Sequence, residues 1–273
     1  MAGKSSGDAL AAVAGSAAGS GIAYVAGASA RSSTGGRSRE LSALGPRAWA
    51  RSAAGRKRWR ALPKAAAAMG LPLLWSNRVL PALALSMRGR TTANLAFAGG
   101  YAVLFRGRPG WFSASGWRVG LAAAGLTLAG YGVALAVPGL RERVGEIAER
   151  VPETSHAEWV GLHIPVGTVV SEELIFRGTL TPLLDDTFST GGTWLGATVF
   201  GLWHIHPARA AGDPIPAAVA ITAAAGLLFD HLRHRTGSAT APALLHLALN
   251  AGGALAPLLA RRISEPPEIL VGE

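Results

Sequence analysis

Residues 169–178 read VVSEELIFRG. Two adjacent carboxylates and a guanidinium, Glu172, Glu173 and Arg177, stand in a run of Val, Leu, Ile and Phe that otherwise asks to be buried. The solvent around that run decides the fold. The chain is 49% hydrophobic and 15% charged, with a mean hydropathy of +0.30, whereas a soluble domain carries about a quarter charged residues. Its apolar residues are gathered into long runs, which points to a membrane protein. The expected fold is all-α: a polytopic transmembrane helix bundle of about six to eight helices, behind a disordered basic N-terminal tail.

Working outward, the second half of the chain holds further apolar runs. They are 156–184 with a kink near Pro165, 193–208, 214–229 and 238–260. Asp185–Asp186 read as a solvated helix end, and Asp230, His231, Arg233, His234 and Arg235 as an interfacial loop. The first half offers a broken span over 62–87, a short one over 92–105 and an uncharged stretch at 119–140 long enough to cross a bilayer. Mixed charges at 141–150 then read as interfacial. Gly99–Gly100 and Gly252–Gly253 read as points of close helix packing. The expected organisation is a tail over 1–62, membrane helices over 63–150, a catalytic-type membrane core over 151–262 and a short tail over 263–273.

The net charge of +10 is concentrated at the start, where residues 1–64 carry eleven Lys or Arg against Asp8 and Glu40. The stretch GRKRWR (55–60) resembles a nucleic-acid patch. Directly before membrane spans, however, it reads as a positive-inside signal with affinity for anionic headgroups. No specific nucleic-acid partner is expected; the N-terminus is expected in the cytoplasm, and the partner surface is the lipid bilayer. Residues 10–30 are too rich in Gly and Ser for a signal core and read as low-complexity tail. The chain has no cysteine, which excludes disulfides, thiolate catalysis and Cys-type zinc sites. High Ala, Gly and Arg content suggests a bacterial protein of the plasma membrane.

Ionisable groups inside spans are costly and face a bundle interior or a wet cavity. Glu173 and Arg177 are i,i+4 neighbours able to pair on one helical face, which leaves Glu172 turned elsewhere. His204 and His206 lie on opposite sides of a helix, so only one of them can face such a site. His246 and Asn250 are again i,i+4. Each set alone reads as well as helix–helix glue. Ser171 lacks the context of a nucleophilic serine and reads as a capping or packing residue. Together, the three sets fit one shared cavity: Glu172 and a histidine to activate water, with His246 and Asn250 to stabilise an oxyanion. Alternatively, Glu172, His204 and His246 could hold a divalent metal such as zinc.

In chain order these are EELIFR (172–177), FGLWH (200–204) and HLALN (246–250), which match EExxxR, FxxxH and HxxxN. The region 156–255 resembles the CAAX protease and bacteriocin-processing family of intramembrane proteases, also known as Abi or type II CAAX prenyl endopeptidases. The resemblance implies an endopeptidase acting on a peptide or protein substrate near the membrane. It implies that Glu172 and His204 activate water, that His246 and Asn250 form the oxyanion or metal environment, and that Glu173 and Arg177 support them. The absence of HExxH separates the chain from ordinary zincins. Two other classes stay open: a catalytically silent membrane scaffold or bacteriocin-immunity protein of the same fold, and a transporter with a Glu/His proton relay.

Overall fold

The computed structural model describes residues 53–147 and 152–264. The expected tail before residue 53, and the chain after 264, lie outside the described residues. Among the described residues all regular structure is helical, as the apolar runs required. Helix α1 begins at Ala53, earlier than the boundary expected at 62, and runs through Ala53–Leu74, a π-helical turn Trp75–Val79 and a last turn Leu80–Ala82. There follow α2 (Met87–Phe105), α3 (Ala114–Ala136) and the short α4 (Pro138–Gly145). Ser86 and Ser113 cap α2 and α3, each accepting a hydrogen bond from the backbone N–H three residues on. The break between α3 and α4 falls before Pro138, which cannot continue the hydrogen-bond ladder.

Helix α5 is a continuous run in five pieces. It opens at His156–Glu158, passes through a π-helical segment Trp159–Val170 and a regular stretch Ser171–Ile175, makes a second π turn Phe176–Leu180 and closes as Thr181–Phe188. The rest comprises α6 (Thr190–Trp203), α7 (Ile205–Ala211), α8 (Ile215–Thr236) and α9 (Thr240–Ser264). Three of these, α3, α8 and α9, are long and apolar enough to cross a membrane. Leu121, Leu126, Leu128 and Val133 lie exposed along α3, the arrangement expected where lipid tails replace water.

Small residues set the helix spacing. A Cβ at Gly120 would stand 2.9 Å from the Ala241 Cα, and one at Gly252 would collide with the Tyr131 ring. These contacts draw α3 onto α9, the close approach that lipid-embedded helices use in place of a hydrophobic drive. Of the two expected glycine pairs, Gly252 behaves in this way. Gly99 and Gly100 do not, since a Cβ at either would meet nothing within 4 Å.

Helix α8 corrects a second expectation. It does not end at Phe229 but continues to Thr236, and Asp230 is 1% exposed within it. The loop reading failed because a cluster of charges after an apolar run looks the same whether solvent or buried partners receive it. Asp185 and Asp186 are also paired rather than merely solvated, with His234 at 2.7 Å and Arg108 at 3.0 Å.

At the far end of α5, Ser155 caps the helix by accepting from the Glu158 N–H, and the Glu158 carboxylate receives two bonds from Arg88 of α2, at 2.6 and 2.9 Å. His163, buried, reaches Glu158 at 3.1 Å and the Thr91 hydroxyl at 2.7 Å. The Arg88 guanidinium is the main reason that the Glu158 carboxyl is pulled down to about 2 from the ordinary 4.5. A depressed carboxyl contributes stability in full above its unfolded pKa and loses it as pH falls through the folded one. Glu158→Gln should therefore lower the Tm in detergent micelles above about pH 5, and the gap should close between about pH 4.5 and pH 2. A gap that stays constant down to pH 2 would show that the pair does not contribute.

Candidate active site

The two carboxylates of the opening motif point to different partners, as their 100° separation requires. Glu172 is 7% exposed and Glu173 fully buried. Glu172 Oε1 accepts a hydrogen bond from the Trp203 indole N–H at 3.1 Å. Its Oε2 lies 4.0 Å from His204 Nε2 and 3.9 Å from His246 Nε2, with no hydrogen-bond donor among the described residues. Glu173 Oε1 instead meets His246 Nδ1 at 2.9 Å.

The tautomers follow from these contacts. His204 Nδ1 lies 2.8 Å from the Phe200 carbonyl, which can only accept, so Nδ1 carries the proton. His246 Nδ1 donates likewise to the Glu173 carboxylate. In their neutral forms both imidazoles therefore turn an Nε2 lone pair toward Glu172 Oε2. Three acceptors converge on one point, which a proton-donating species such as water, or a cation, must satisfy.

The donor types are those of a zinc site, with each imidazole fixed through its other nitrogen. Their spacing is wider than that of an occupied site. Metal–ligand bonds of about 2.0–2.1 Å in tetrahedral geometry hold ligand atoms about 3.4 Å apart. The separations of 3.9 and 4.0 Å are wider, and no group of three His, Asp or Glu among the described residues is gathered closely enough to hold an ion.

Arg177 forms the i,i+4 pair expected of it, and reaches further partners as well. It lies in the second π turn, where α-helical stacking no longer applies, and its Nη1 is 3.5 Å from Glu173. Its Nε is 3.3 Å from Asp230 on α8 and its Nη2 donates to the Gly226 carbonyl at 3.1 Å. The guanidinium sits 4.3 Å from the Phe200 ring centroid and 5.0 Å from that of Phe229, an arrangement that favours a desolvated cation. Asp230 also accepts from Thr181 at 2.8 Å. Arg233 donates to the Arg177 carbonyl at 3.0 Å, and the Arg108 N–H donates to the Gly178 carbonyl at 2.6 Å, so carbonyls of the π turn find partners outside the helix.

His204 is presented by a break in the chain. It follows the last residue of α6 with φ −88° and ψ 4°, the bridge region, before α7 starts. The break is braced from α1, in the half of the chain that sequence reading treated only as hydrophobic. In its π turn, Ser76 donates to the Trp203 carbonyl at 2.7 Å. Asn77 donates to the Leu202 carbonyl at 3.0 Å and accepts from the His206 N–H at 2.8 Å. His206 thus joins by its backbone, and His204 is the histidine that faces Glu172. Asn250 lies on α9, one turn beyond His246, half-buried and without a hydrogen bond to a described residue. Ser171 donates to the Val166 carbonyl at 2.9 Å, a packing role.

Sequence reading missed Trp203, Asp230, Ser76 and Asn77. Polar residues interrupting the apolar run over 62–87 were the signal for the last two, and Trp203 directly before His204 was the signal for the first.

Within this helical bundle, then, the two glutamates and two histidines occupy one buried site. Residues 154–252 match the profile of the family described as Rce1-like, type II CAAX prenyl endopeptidase. Over that segment the chain is similar to the CAAX protease family. No curated protein and no solved structure gave a significant match. With its three apolar helices, the chain is an integral membrane protein.

The brace makes a testable claim. Asn77→Leu removes the hydrogen bonds across the break and should change the rate of His204 acylation by diethyl pyrocarbonate, mapped by mass spectrometry, at least about threefold. His246, held by Glu173, should keep its rate. Ser76→Ala should produce a smaller change in the same direction. An unchanged His204 rate in folded Asn77→Leu protein would remove the brace from the account.

Proposed function

We propose that this protein is an intramembrane endopeptidase that hydrolyses a peptide bond with water activated by Glu172. The observation that carries this reading is the convergence of Glu172 Oε2 with the Nε2 atoms of His204 and His246, at 4.0 and 3.9 Å, inside an apolar bundle. A water at that point donates one proton toward Glu172 and is oriented by His204 Nε2. Its oxygen forms the new bond to the peptide carbonyl carbon as Glu172 takes the proton. The Glu173 carboxylate fixes the His246 ring through Nδ1–H, and the oxyanion is met by the Asn250 side-chain amide N–H one turn on. Cleavage of the C–N bond sends the proton from Glu172 to the leaving amine, and the carboxylate is restored.

Trp203 gives this division its direction. By occupying Oε1 it leaves Oε2 as the basic atom. Arg177 and Asp230 act at a distance, fixing α5 to α8 around Glu173. No step here is routed through a divalent metal.

Quantitative comparison of C-terminal peptides in membranes from cells carrying the native chain and cells carrying Glu172→Gln tests the reading and identifies substrates. New C-termini should be present with the native chain and absent with the variant at equal protein level. Identical peptide sets would favour a silent scaffold of the same fold.

A further inference from the structure

A groove of about 380 Å³ lies between α1 and the α6–α7 junction, and none of the four Glu and His residues of the cluster lines it. Its volume falls within the range of small-molecule sites. Leu73, Leu202 and Ile205 supply an apolar wall, and Arg78, His206 and Arg209 supply its polar edge. No acidic residue lines it. The side chains of Arg78, His206 and Arg209 make no hydrogen bond or ion pair with a described residue. Leu74, also in the lining, is 52% exposed, so the wall continues onto the outer apolar surface of the bundle.

We propose that this groove is a binding site for an anionic phospholipid. The acyl chain follows the leucine and isoleucine wall, and the headgroup phosphate is held by Arg78 and Arg209, with His206 as a further donor. Three features select this occupant. Two guanidiniums without protein carboxylates are complementary to a phosphate, whose oxygens accept their forked N–H donors. The apolar wall opens toward the surface that meets lipid tails, which suits an acyl chain better than a free anion. Basic pockets between membrane helices hold anionic headgroups by the same logic. Asn77 and His206 are common to the groove and the brace, so the lipid sits against the segment that presents His204. The proposal does not depend on the chain being a peptidase.

Native mass spectrometry of the detergent-purified chain, titrated with dioleoyl-phosphatidylglycerol and dioleoyl-phosphatidylcholine in competition, tests it. The native protein should retain one phosphatidylglycerol in preference to phosphatidylcholine. Arg78→Ala/Arg209→Ala should weaken phosphatidylglycerol binding roughly tenfold to thirtyfold and leave phosphatidylcholine unchanged. Arg118→Ala/Arg143→Ala removes the same charge outside the groove and should have no such effect. Ile205→Trp narrows the groove with its charges kept and should weaken retention as well. The proposal is overturned if the native chain shows no preference for phosphatidylglycerol. It is equally overturned if the Arg118/Arg143 variant loses as much affinity as the groove variant, because the attraction would then be general.

Discussion

Two consecutive carboxylates buried in an apolar bundle cannot share one partner, and that constraint organises the structure around Glu172 and Glu173. An uncompensated buried charge is among the most costly features a fold can carry. Glu173 is met by His246 from α9 and, more distantly, by Arg177. Arg177 brings its own demand, met by Asp230 and the Gly226 carbonyl of α8 and by the faces of Phe200 and Phe229. Satisfying one buried ion therefore joins α5, α6, α8 and α9 at a single level. Glu172, on the adjoining face, is left with one indole N–H and two imidazole lone pairs, the arrangement on which its proposed role as the base rests.

The helix that carries both glutamates departs from regular geometry on either side of them. π-Helical segments are found frequently at functional sites, and here they have a definite effect. Ser171–Ile175 stays regular and keeps the two carboxylates about 100° apart, while Arg177, in the turn from Phe176, keeps its contact with Glu173 and also reaches Asp230 of α8. The turn needs external partners for its carbonyls, which Arg233 and the Arg108 backbone supply.

The helical class was legible in the apolar runs, and four site residues, Glu172, Glu173, His204 and His246, were legible as ionisable groups where none should be. Helical periodicity allowed only one of His204 and His206 to face the site, and the FxxxH register of the resemblance chose His204. Other features could not be read, because they depend on which helices become neighbours. Asp230 looked like a solvated charge because its partner lies 53 residues earlier, on another helix. Asn77 looked like a break in a span, yet it ties α1 to the chain around His204. The Glu173–Arg177 spacing suggested a short-range pair, which forms at 3.5 Å, but the π turn around the arginine and its second carboxylate, Asp230, left no sign in the sequence pattern.

Cleavage by the purified chain in lipid bilayers tests the central claim most directly, using a peptide identified from membrane C-termini and comparing the native protein with folded Glu172→Gln. Replacing the carboxylate keeps the size and the Trp203 contact but removes the base. The account predicts a loss of roughly 10²–10⁴-fold in kcat, the range expected of a positioned general base. A Glu172→Gln protein that cleaves at the native rate would contradict it.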